Sequence, residues 1–207
     1  VILSNLPGGE DNSVYQQLAA QNGIRHYDFL YSIVGTAIAT QQPFLSQTLL
    51  KALNYHAIVC LHEFAGEYRP CKVTVGNRDF PPEHWKVPDL MDQFTNTVNR
   101  YWHETDPFVL AAYVLWRLTH IHPFINGNGR TARAACLFVL CAKQNQWIPT
   151  EEILPNLIKQ NQDQCIALLR KADDTRTYDD FGSSLLEIAN FLYCLVAGPD
   201  GIKHNDP

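Results

Sequence analysis

One twelve-residue stretch, His122-Pro123-Phe124-Ile125-Asn126-Gly127-Asn128-Gly129-Arg130-Thr131-Ala132-Arg133, gathers a base, an anion cradle and two cations. Gly127, Asn128 and Gly129 stand where a loop opens into a helix, and the first turn of a helix presents backbone N–H groups that lack an intrahelical acceptor. The two glycines remove the Cβ atoms that would hold a phosphate away from that backbone. Arg130 and Arg133 are three apart, so both can project from the first turn toward one region, and each planar guanidinium can donate two hydrogen bonds at once. His122, at the other lip of the loop, has the near-neutral titration that suits a general base for an incoming hydroxyl. Each feature alone has a plainer reading as a turn, as solvated helix charges or as a loop histidine. Their joint occurrence in one window points to phosphate chemistry. His120 and His122, two apart at the end of a helical stretch, face different ways and are not read as a metal pair.

The elements that must hold this loop read as helices. Asp106-Pro107 starts a helix over 107–121, which delivers His122, and a second runs over 129–143 on the far side of the loop. Upstream, Asn12 or Ser13 caps a helix beginning near Val14 that Gly23 ends, followed by helices over 27–40 and 45–62. Between 64 and 82 the pattern changes to β-branched alternation (Val73, Val75), a Gly76-Asn77 turn and the pair Pro81-Pro82, which predicts one β-hairpin. Helices resume over 88–102, over 150–172 with Pro155 offsetting the start, and over 178–197, where Gly198-Pro199 stops the last. The fold class is all-α with a single hairpin.

The bulk properties narrow the partners. At 207 residues the chain suits one domain with a sizeable core, and no repeat or low-complexity segment interrupts it. A formal net charge of −5 argues against nucleic acid, whose backbone needs a basic face. No apolar run of the length of a membrane span appears, and the opening VILSNLPGGEDNS does not read as a signal peptide. The six cysteines form no C-x-x-C pair and are expected to be reduced and buried, which points to the cytoplasm.

The window resembles the Fic family signature, His-Pro-Phe-x-(Asp/Glu)-Gly-Asn-Gly-Arg-x-x-Arg, at His122, Pro123, Phe124, Gly127, Asn128, Gly129, Arg130 and Arg133. FAGEYRPCKVTV followed by FPP resembles the family's flap hairpin, and the likeness covers about 54–195. The resemblance implies a Fic domain over 46–198, an N-terminal helical segment over 1–45 packed on it, and a C-terminal tail over 199–207. It implies a protein adenylyltransferase that moves AMP from ATP to a Ser, Thr or Tyr hydroxyl of a target protein. His122 would be the base, Gly127, Asn128 and Gly129 the diphosphate cradle, and Arg130 and Arg133 the holders of the outer phosphates. Lys72, Val73, Thr74, Val75, Gly76, Asn77, Arg78, Asp79 and Phe80 would form the flap that clamps the target by strand addition. The implied metal is Mg²⁺, or Mn²⁺ in its place.

Three departures from the family pattern carry expectations of their own. Asn126 stands where the family has the Asp or Glu that binds the metal, so a neutral amide would be the ligand. Slower transfer, a greater dependence on metal concentration, or altered chemistry is expected. Gln164-Cys165 replaces tyrosines near the base, which leaves base preference open. The family's inhibitory (Ser/Thr)-x-x-x-Glu-(Gly/Asn) helix is matched only in part: Val34 takes the Glu place after Ser32-Ile33, and Glu187 is followed by Ile188. Internal inhibition is therefore expected to be absent or to depend on a partner protein. The alternatives are a related transferase using another donor (UMP, phosphocholine or phosphate), or a regulatory nucleotide-binding module with weak or no turnover. The target and the oligomeric state are not set by these residues.

Overall fold

The computed structural model describes residues 2–75, 81–174 and 183–198. Helix α1, Ser13–Thr40, starts at Asn12, whose side-chain oxygen accepts from the Val14 N–H at 2.9 Å. It runs straight through Gly23 instead of ending there. Asn22, His26, Leu30, Val34 and Ala37 are all buried along one face. That tertiary packing outweighs a glycine cost of about 1 kcal/mol. Helix α2, Gln47–Ile58, is capped by Ser46 and is shorter than expected. Beyond it, the carbonyls of Cys60 and Leu61 accept from the Leu3 and Ser4 amides at 3.0 and 2.9 Å, so the chain's first turn takes bonds that a longer helix would have kept.

Helix α3 (Val87–Arg100), α4 (Pro107–Ile121) and α5 (Asn128–Gln144) follow. Residues 110–118 of α4 are buried without a break, the mark of a helix surrounded by others. It packs against α5 and α3, and also against α7 (Gln162–Asp174) and α8 (Ser183–Ala197). Helix α5 also meets α1, α2 and the short α6 (Leu154–Gln160). The single helix expected over 150–172 is thus two. Pro155 sits in the first turn of α6, and the chain breaks at Asn161, whose side chain turns back to the Leu157 carbonyl at 2.9 Å.

The expected β-hairpin is not seen: no strand occurs among the described residues, and 72–75 have no regular structure. Here the two stalks are joined by a side chain and not by a ladder. The Arg69 guanidinium donates to the Cys71 carbonyl at 3.1 Å and also to that of Pro82. Lys72 meets Glu83 at 2.9 Å. Gly76, Asn77, Arg78, Asp79 and Phe80 lie outside the described residues. All six cysteines are free thiols, but Cys60, Cys71 and Cys194 are exposed, contrary to the expectation of burial. Among the described residues no helix is long and apolar enough to cross a membrane.

Candidate functional site

The loop between α4 and α5 is fixed from several sides. His122 ends α4 with φ +50°, its N–H donating to the Leu118 carbonyl at 3.0 Å. Its own carbonyl accepts from Arg69 Nε at 2.8 Å, and the Pro123 carbonyl accepts from the Arg69 amide at 2.9 Å. Phe124 is wholly buried, and the Asn128 side chain brackets it, accepting from its N–H at 2.9 Å and donating to its carbonyl at 2.8 Å. Asn128 therefore braces the loop with its side chain and leaves only its amide for a ligand. Gly127 has φ +76°, and a Cβ there would lie 2.7 Å from Ile58 Cγ2 and 3.0 Å from Asn54 Nδ2. Only glycine lets the loop rest against α2 in this way.

His122, Gly129 and Arg133 line one cavity of about 400 Å³, within the range of small-molecule sites. Val75 reaches it from the segment after Arg69, Leu115 and Thr119 from α4, and Ile158 from α6. The opposite wall is α7, with Gln162, Cys165, Ile166, Leu169 and Arg170. Among the described residues the lining contains two arginines and no carboxylate. The ladder of α5 begins with the Thr131 amide donating to the Gly127 carbonyl at 2.9 Å, so the amides of Asn128, Gly129 and Arg130 stand outside it.

Arg133 has no carboxylate in ion-pair range among the described residues, and its Nε is buried with no acceptor. Burial pulls its guanidinium pKa below the usual range. Its Nη1 would lie 3.1 Å from a Cβ at position 129, so the second glycine makes room for the arginine. Burial also pushes the Cys165 thiol up to about 11, so the thiol brings no negative charge to that wall near pH 7. Arg130 points elsewhere. Its guanidinium donates to the Ala57 carbonyl of α2 at 2.8 Å and to Asn126 Oδ1 at 3.2 Å, and it does not line the cavity.

The Fic/DOC family model matches residues 44–140. Over these residues, just under half of the chain, it is similar to Fic domains. The Protein adenylyltransferase Fic of Drosophila persimilis is 42% identical over 69 residues, which is 33% of this chain and 13% of that protein. That of Drosophila grimshawi is 38% identical over 93 residues, 43% of this chain and 19% of that protein. The chain thus spans less than a fifth of the length of these curated relatives. A Fic domain containing signaling protein from Bacteroides thetaiotaomicron shares the fold, with a TM-score of 0.67 at 22% identity over 84% of this chain and 68% of that one. Fic-1 from C. elegans does so with a TM-score of 0.62 at 17% identity, over 86% of this chain and 52% of that one.

The expected metal ligand, Asn126, does not fit a divalent cation. Asn126 Oδ1 already accepts from the Gly127 amide at 2.6 Å and from Arg130 Nη2 at 3.2 Å, which uses both lone pairs and sets a positive charge beside them. Mg²⁺ favours anionic oxygens. The carboxylate next to Asn126 is Glu10, from the 3-10 turn Gly9–Asp11. Its Oε1 accepts from Asn126 Nδ2 at 3.2 Å and lies 3.3 Å from His62 Nε2. No group of three or more metal-binding side chains occurs among the described residues.

Several residues that shape the loop were not singled out in the sequence. Asn54 is fully buried in α2, donating to the Asn126 carbonyl at 2.9 Å and accepting from the Gly66 amide at 3.0 Å. A polar residue within the apolar stripe Leu50, Leu53, Ala57 was the available signal. Arg69 and Glu10 carried none, since their partners are distant in sequence. The partial inhibitory motifs do not reach the site. Val34 is buried in the core, and Glu187 pairs with Lys171 at 2.6 Å. His120 turns its Nδ1 to Asp173 of α7 at 2.9 Å, while His122 lines the cavity.

Proposed function

We propose that this chain is a transferase that moves AMP from ATP to a hydroxyl side chain of a target protein. The observation that carries this reading is the shared cavity. A histidine, Gly129 in the open first turn of α5 and an arginine without a counter-ion all border one space whose lining, among the described residues, holds no carboxylate. Relatives named as adenylyltransferases support AMP as the transferred group. His122 takes the proton of the Ser, Thr or Tyr hydroxyl, whose oxygen then bonds to the α-phosphorus as the bond to the β-phosphate bridging oxygen breaks. The amides of Asn128 and Gly129, together with Arg133, hold the diphosphate that leaves. Arg130 acts from behind, fixing Asn126 and the turn at Gly127. Lys72, Val73, Thr74 and Val75, with the segment through Phe80, receive the target backbone at the lip where Val75 meets the cavity.

The inward-held Asn126 oxygen favours a second reading, a nucleotide-binding module with little turnover. Intact-mass spectrometry of the chain and of His122→Ala, incubated with ATP, UTP or CDP-choline, separates these. A His122-dependent gain of one AMP is expected. A gain of a different group would move the assignment to another donor, and bound ATP without any adduct would favour the module.

A further inference from the structure

We infer that this cavity takes its polyphosphate without a divalent metal, the arginines and open helix amides neutralising the charge that a cation would otherwise carry. The inference rests on the transferase reading, since it concerns how the same cavity holds the same ligand. Three observations lead to it. First, the position that would anchor a cation is closed: the single side-chain oxygen of Asn126 is committed to the Gly127 amide and to Arg130 Nη2. A cation approaching that oxygen would also meet the Arg130 guanidinium, which no acid shields at ion-pair distance among the described residues. Second, Glu10 cannot readily stand in, because its Oε1 accepts from Asn126 Nδ2 at 3.2 Å and is crowded by His62 Nε2 at 3.3 Å. Third, among the described residues the cavity has positive charge and no carboxylate to oppose it. Arg133 and Arg170 both line it, no Asp or Glu does, and neither arginine has an ion-pair partner among the described residues. A bare polyphosphate is the ligand such a wall attracts most, and a bound cation would weaken that attraction by lowering the ligand's charge.

The test is calorimetric titration of the whole chain with α,β-methylene-ATP, a donor that cannot release its AMP group, in EDTA and again in excess Mg²⁺. The expected result is a dissociation constant that differs by less than about threefold between the two buffers. A tightening beyond that on adding Mg²⁺ overturns the inference while leaving the transferase reading intact. Failure to bind in either buffer overturns both. Asn126→Asp places a second carboxylate beside Glu10 and gives a cation an anionic ligand. It is expected to bind the analogue weakly in EDTA and about tenfold more tightly with Mg²⁺, and to retain Mn²⁺ in equilibrium dialysis without nucleotide, as the parent chain does not. If Asn126→Asp is as insensitive to Mg²⁺ as the parent, position 126 does not set metal dependence and the inference fails. Retention of Mn²⁺ by the parent chain with Asn126 intact would overturn it directly.

Discussion

At Arg133 a guanidinium lies beside the cavity with its Nε buried and without an acceptor. A buried donor left unpaired costs about 1–3 kcal/mol, and a charge left unpaired costs at least as much, so the folded chain holds this residue at the expense of stability. Stability and binding should therefore move in opposite directions here. Arg133→Met is expected to raise stability toward urea by about 1–2 kcal/mol while weakening ATP binding by about 10–100-fold. Urea unfolding paired with calorimetry checks both, and a variant that binds normally would remove Arg133 from the site. Gly127 offers the contrary case. With φ +76° and only 2.7 Å between an added Cβ and Ile58 Cγ2, Gly127→Ala should cost about 2–4 kcal/mol. A melting temperature within two or three degrees of the parent would show that α2 yields more easily than its packing suggests. The spacing of His122, Gly129 and Arg133 made their shared cavity legible in the sequence. It could not show that Arg130 turns toward α2 or that Asn126 faces inward, because Ala57 and Glu10 come from segments far away in the chain.

The elements that position the loop depend on polar side chains crossing between them. Asn54 ties α2 to the loop carbonyl of Asn126 and to the Gly66 amide, and it is fully buried. Asn54→Ala would leave that donor and that acceptor without partners, at a cost of about 2–4 kcal/mol. Chemical denaturation measures the loss, and ATP affinity should fall as well, because Gly127 and Arg130 would lose the wall they rest on. Helix α4 was readable because Asp106 and Pro107 mark its start and its apolar run fixes its length. The end of α2 was not, since its next carbonyls are claimed by Leu3 and Ser4. Gly23 misled for a related reason: a helix stop is a local signal, and the face running from Asn22 to Ala37 is held by contacts that local propensity does not contain. The alternation of Val73 and Val75 is real, but Arg69 bridges the stalks with its side chain, and residues 72–75 form no ladder.

Across the whole molecule, α1 closes over α2 and α5, and His26 is the titratable group caught in that closure. Its Nδ1 lies 2.9 Å from the Leu53 carbonyl, and its Nε2 is buried without a partner. Burial, helped by the positive fields of Arg130 and Arg133, pushes its pKa down to about 4 from the ordinary 6.5. Because the folded value is the lower one, the unfolded chain binds the extra proton first as the pH drops. The stability tied to neutral His26 is thus complete above about pH 6.5 and is lost as the pH falls toward 4. Between pH 7 and pH 5 this amounts to roughly 2 kcal/mol. His62, whose pKa is also lowered, chiefly by burial, slopes the same way, so the total for the chain does not isolate His26. A difference between two proteins does. Asn in place of His26 can still donate to Leu53 but does not titrate, so urea unfolding of the parent and of His26→Asn at pH 7 and pH 5 should show the parent losing about 2 kcal/mol more. Equal losses would mean that the imidazole is hydrated or freely protonated in the folded chain. In that case α1 would not seal against α2 as tightly as the burial of His26 and Leu53 requires.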